Sequence, residues 1–112
     1  MAAPTLRLRS ASEVRRVLRT GSSRTSERVV LYVAPSTGPP RAAWITGKRV
    51  GGAVARNRAR RLLRETWRSL APRVREGHEL VFVARGPFGD IKAPELTEEI
   101  ESLLRGIGMM RS

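Results

Sequence analysis

The stretch from Lys48 to Leu70, KRVGGAVARNRARRLLRETWRSL, constrains the fold more than any other part of the chain. From residue 53 to about 70 it follows a helical period and ends before Pro72. Advancing ~100° per residue gathers Ala55, Ala59, Leu62, Leu63, Thr66, Trp67 and Leu70 on one side, which is the expected core face. Asn57, Arg61, Arg64 and Arg68 lie opposite or beside it, with Arg60 at one edge, and Arg56 and Arg58 flank the apolar stripe. Such a helix must pack on an apolar layer along one stripe and leave its cations outside.

An ordinary solvated helix face mixes signs and sets Glu before Lys at four-residue spacing. Here Arg56, Arg60 and Arg64 repeat one sign at that spacing, as do Arg60, Arg64 and Arg68. Cations near a helix start also oppose its dipole, by ~0.3–1 kcal/mol each when exposed. An anion removes all of these unfavourable terms. Phosphate fits: a helix start offers free N–H groups, and Gly51–Gly52 let a backbone approach closely. Asn57 adds a neutral donor and acceptor within the cationic patch, suited to a base edge or a 2′-hydroxyl.

The charge is concentrated. Net charge is +12, and residues 41–75 carry eleven Lys or Arg against Glu65 alone, while residues 76–112 carry four cations against seven acids. Clustering of this kind reads as the footprint of a polyanion. Twenty of the 22 cations are arginine, a ratio that GC-rich codon usage explains without chemistry. The 112 residues suit a single domain over residues 1–112, and the lack of cysteine excludes disulfides and thiolate metal sites. No apolar run is long enough for a membrane span or a signal peptide, so the expected setting is the cytoplasm, with no membrane partner.

Ser10 and Glu13 have capping-box spacing before a short helix, with Gly21 as its stop. Strands are expected at Arg28–Ala34 and Arg41–Gly47, paired as an antiparallel hairpin across the turn PSTGPP, and at Glu79–Arg85, apolar enough to be central. Thr97 is expected to cap a final acidic helix with Ile100, Leu103, Leu104 and Ile107 on one face. The order α-β-β-α-β-α implies an α/β (α+β) two-layer sandwich with a mixed sheet.

Chemistry of its own is not expected from this chain. Phosphodiester hydrolysis needs clustered carboxylates holding metal, or a His-based acid–base pair. Glu95, Glu98, Glu99 and Glu101 read as a helix start, and His78 is a lone loop histidine. No catalytic residues and no metal ligands are therefore assigned.

At Arg56-Asn57-Arg58 the chain resembles the bacterial ribonuclease P protein family. That family's pattern is approximately K-[KR]-[VI]-G-N-A-V-x-R-N-R-x-[KR]-R-x-x-R, which Lys48, Arg49, Val50, Gly51, Ala53, Val54, Arg56, Asn57, Arg58, Arg60, Arg61 and Arg64 match. The element order and the VLY and VFVAR strands agree as well, so the resemblance covers nearly the whole chain. It implies a left-handed β-α-β crossover like that of a small-subunit ribosomal protein domain; handedness statistics alone favour the right-handed form. It implies the RNase P catalytic RNA as partner and the 5′ leader of precursor tRNA as a second ligand, with no protein partner. The activity implied is removal of that leader by a magnesium-requiring holoenzyme whose active site lies in the RNA; the protein itself binds no cofactor.

By the same resemblance, Lys48, Arg49, Arg56, Arg58 and Arg61 face mainly the catalytic RNA, with Gly51 and Arg68 in the same surface. Asn57, Arg60 and Arg64 face a leader cleft between the first helix and the sheet, formed by Val14, Leu18 and Tyr32. Gly52 stands where the family usually has Asn, and Val14 and Leu18 stand where it often has aromatics. Trp44 and Trp67 are read as core. Alternatives from the residues alone are a ribosomal-type structural RNA binder, a DNA-binding helix and, more weakly, a membrane-surface helix.

Overall fold

The computed structural model describes residues 10–111. Helix α1 (Ala11–Thr20) leads into β1 (Ser22–Thr25), β2 (Val29–Pro35) and β3 (Arg41–Ile45). A single 3₁₀ turn at Lys48–Val50 precedes α2 (Ala53–Leu70), and β4 (His78–Ala84) and α3 (Ala93–Gly106) complete the order. The four strands form one mixed sheet in the order β1-β2-β4-β3, with β4 antiparallel to β2 and parallel to β3.

The expected hairpin between the second and third strands does not form, because β4 lies between them. Leu80, Val81 and Phe82 are all buried, and the central position is the one that covers both faces of so apolar a strand. The turn after β2 therefore crosses the start of β4, where Ser36 N donates to Gly77 O and Gly77 N to Gly38 O. The sequence reading also missed β1. Its four residues, SSRT, are all exposed and show no apolar alternation; only the ladder with β2 marks them as an edge strand.

Period-two alternation divides the sheet into two surfaces. Val29, Leu31, Val33, Ala42, Trp44, Leu80 and Phe82 face α2 and α3 in the main core, with Trp67 and Phe82 rings 5.9 Å apart. Trp44 and Trp67 are thus interior, as expected. Ala34 and Val81 face the other way and meet Val17 of α1, with Tyr32, Ala43, Ile45 and Val83 half-buried around them.

Ser10 and Glu13 do form a capping box on α1: the Glu13 N–H donates to Ser10 Oγ at 3.1 Å and the Ser10 N–H to Glu13 Oε1 at 3.2 Å. Gly21 ends this helix for a reason of space. A Cβ there would lie 2.6 Å from Val17 O and 2.8 Å from Val33 O, so the helix end can sit this close to β2 only without one. α3 begins one turn earlier than expected. Its N-cap is Lys92, with Pro94 in the first turn and Glu95 accepting the Lys92 N–H at 3.1 Å. Thr97 is inside the helix, its hydroxyl 3.3 Å from that of Thr66 on α2.

Candidate nucleic-acid interface

α2 starts without a side-chain cap. Gly51, at φ +137, turns the chain out of the 3₁₀ turn, and Gly52 occupies the N-cap position. No acidic residue lies in the first turn to offset the positive helix end. The first turn also stands clear of the sheet: Ala55, expected in the core, is exposed, and Val54 is 85 % exposed. The buried stripe begins at Ala59 and continues through Leu63, Thr66, Trp67 and Leu70.

Outside that stripe the structure brings the expected cations together. Asn57, Arg60, Arg61 and Arg64 line one shallow concavity of about 360 Å³ with Val54, and Arg61, Arg64 and Arg68 share a second of about 160 Å³ with Glu65. Lys48 and Arg49, on the 3₁₀ turn, are exposed beside Gly51. Among the described residues, none of Lys48, Arg49, Arg56, Arg61, Arg64 and Arg68 has a carboxylate within 4.0 Å. Two arginines of the motif have internal partners. Arg58 donates to the carbonyl oxygens of Gly89 (2.8 Å) and Ile91 (2.5 Å), tying the loop before α3 to α2. Arg60 donates to Asn57 Oδ1 at 2.9 Å and to Thr46 Oγ1 at 3.1 Å.

The expected cleft residues also converge, on the other face of the sheet. Val14 and Leu18 of α1 and Tyr32 of β2 are half-buried around Val17 and Val81. Below α1 lies a network the sequence reading did not contain. Glu79, 4 % exposed, accepts from Ser36 (2.6 Å) and Arg41 (3.0 Å) and pairs with Arg16 at 3.2 Å, while Arg41 also reaches Glu13 at 2.6 Å. Burial pushes the Glu79 carboxyl up, but the hydrogen bonds from Ser36 and Arg41 and the Arg41 charge outweigh it and hold it below the ordinary glutamate value. The only trace in the sequence is an acid directly before the apolar run of β4. A second half-buried carboxylate, Glu99 on α3, accepts from Ser26 and from the backbone and guanidinium of Arg28, and is likewise lowered against its burial. His78 opens β4, half-buried, with Nδ1 3.0 Å from Glu76 O. Among the described residues no three His, Cys, Asp or Glu are grouped to hold a metal ion, and no helix is long and apolar enough to cross a membrane.

Fold and surface together define a small α+β protein whose longest helix carries a row of exposed arginines. The Ribonuclease P family model matches residues 3–108, and the chain belongs to that family. It is 44% identical over 101 residues to the ribonuclease P protein component of Chloroflexus aurantiacus, covering 88% of this chain and 75% of that one. It is 37% identical over 107 residues to the Roseiflexus castenholzii protein, covering 94% and 88%. In fold it matches the Staphylococcus aureus RNase P protein (TM-score 0.83, 20% identity, 96% and 100% covered) and that of Thermotoga maritima (0.80, 22%, 89% and 96%). It acts as the protein subunit of the ribonucleoprotein endoribonuclease RNase P, an RNA-binding component of tRNA processing.

Proposed function

We propose that the outward side of α2, with Lys48, Arg49 and Gly51 before it, binds the RNase P catalytic RNA through its phosphates. The observation that carries this reading is the row of exposed arginines without carboxylate partners, beginning at an uncapped helix start. Two polyanions, RNA enzyme and RNA substrate, repel each other, and a cationic face placed between them lowers the magnesium needed to bring them together. The half-open sheet face beside α1, with Val14, Leu18 and Tyr32, takes the single-stranded 5′ leader of precursor tRNA. Asn57, Arg60 and Arg64, part of the same RNA-binding side of α2, also help position the leader or metal-bound phosphates where the two faces meet along the β3 edge, near Thr46. We place magnesium with the RNA; the setting is the cytoplasm and the chain works as one RNA-binding domain.

The test is cleavage of precursor tRNA by a bacterial RNase P RNA at low magnesium, with and without this protein. Cleavage rescued by the protein is expected; equal rates would overturn the reading. For the leader, Tyr32→Ala should weaken holoenzyme binding of precursor tRNA by ~1–3 kcal/mol, the range of one aromatic–base stack, and leave mature tRNA binding nearly unchanged. Equal losses for both RNAs would make Tyr32 a structural residue only.

A further inference from the structure

Thr46 lies just past β3, outside the Lys48–Arg64 motif, and is one of few polar side chains in the interior, 9 % exposed. Its hydroxyl oxygen accepts from Arg60 Nη2, and Arg60 Nη1 donates to Asn57 Oδ1. Arginine has no acceptor, so the Asn57 atom that faces it must be the oxygen, and the amide NH₂ points elsewhere. Asn57 itself is exposed and lines the larger concavity with Arg60, Arg61 and Arg64. One lone pair of that oxygen is thereby engaged, so against a single remaining acceptor position the ring of side chains offers an incoming group mainly donors.

We propose that Thr46 is a positioning residue for RNA recognition: through Arg60 it fixes the Asn57 amide, so that this donor-rich concavity favours an acceptor group. Phosphodiester oxygens and the acceptor edge of a base both have that chemistry; an exocyclic amine has only the remaining lone pair of the Asn57 oxygen to meet. The proposal rests on the reading of α2 as the RNA surface, and it adds a residue and a polarity to that reading.

The probe is a bacterial RNase P RNA, with Kd measured at several salt concentrations. Thr46→Val removes the acceptor and should weaken binding roughly fivefold, the scale of one hydrogen bond; Thr46→Ser, which keeps it, should bind as the unaltered protein does. In an Asn57→Ala background Thr46→Val should have no further effect, because the residue it positions is gone. Binding unchanged by Thr46→Val, an equal loss in both backgrounds, or no rescue by Ser overturns the proposal. Asn57 is exposed, so Asn57→Asp tests the polarity without touching the interior: it keeps the oxygen that Arg60 holds and replaces the donor. It should bind no better than Asn57→Ala, because it removes the donor and adds a negative charge, and retained affinity would contradict a donor-rich site. Because a neutral amide releases no counterion, Asn57→Ala should lower affinity at an unchanged log–log salt slope, and a flattened slope would place the lost contact on the neighbouring arginines and contradict the role given to the Asn57 amide. Arg61→Ala with Arg64→Ala separates the two levels. If that pair weakens binding and Thr46→Val does not, only the positioning role falls; if the pair has no effect, the α2 reading falls and the positioning role with it.

Discussion

Two sets of arginines in this chain have opposite surroundings. Arg16, Arg28, Arg41 and Arg73 each lie 2.6–3.2 Å from a glutamate oxygen on another element, and Arg105 pairs with Glu101 one turn back in α3 at 2.7 Å. Arg61, Arg64 and Arg68 on α2 have no such partner, although Glu65 sits among them. The residue type is the same, so composition does not distinguish the roles; the placement of the ten acids does. Where a carboxylate is supplied, arginine fastens the fold, and where it is withheld the charge remains available to an external anion. Arg58 is intermediate: it belongs to the motif yet spends its donors on the backbone at Gly89 and Ile91.

Breaking the unpaired set should have the largest effect. Arg61→Ala, Arg64→Ala and Arg68→Ala together should weaken binding of RNase P RNA on the order of a hundredfold, each lost phosphate contact contributing about 1 kcal/mol. Thermal melting should be unchanged or slightly raised, because like charges four residues apart are removed. A large drop in melting temperature would show that these side chains are structural.

Breaking the paired set should give the reverse pattern. Glu79→Gln leaves Arg16 without its carboxylate and Arg41 with Glu13 alone, and should cost about 1–3 kcal/mol in denaturant unfolding, with the salt dependence of RNA binding preserved. Glu79 and Glu99 also predict the acid behaviour. Both carboxyls titrate lower in the folded protein than in the unfolded chain. Their stabilisation is thus complete above the ordinary glutamate range, ~4.3, and is lost as pH falls through the depressed folded values. Unfolding followed below pH 5 should be less steep in pH for Glu79→Gln; an identical acid limb would show that Glu79 contributes nothing through its charge.

Arg58→Ala sharpens the boundary between the two sets and should have the smallest effect. A loss of about 1 kcal/mol in stability is expected, with RNA affinity falling less than in Arg61→Ala. The opposite ranking would return Arg58 to the phosphate-binding set.

The main helix was readable because its period, its length and its row of cations agree, and the central strand because five consecutive apolar residues leave few other positions. Neighbouring strands were not readable: Arg28–Ala34 and Arg41–Gly47 look like a hairpin locally, and only the need to cover both faces of β4 separates them. β1 carries no side-chain signal, and the start of α3 was obscured because Lys92 is not a usual capping residue. In the site, the sequence identified which cations cluster. It could not show that Arg58 and Arg60 face inward partners, or that Glu79 joins α1 to the sheet, because those contacts link residues 14 to 63 positions apart. Thr46 carried no signal at all, since a threonine after a strand is ordinary until its partner is known.

The central claim is that cations without carboxylate partners on α2 are neutralised by RNA phosphates, and the salt dependence of binding tests it most directly. Kd for a bacterial RNase P RNA should be measured across monovalent salt for the unaltered protein and for Arg61→Ala/Arg64→Ala. Two lost contacts should reduce the magnitude of the log–log slope by about 1.4–1.8, at ~0.7 per single-stranded and ~0.9 per duplex phosphate. A slope that is the same in both proteins would mean that these arginines face water in the complex, and would contradict the account.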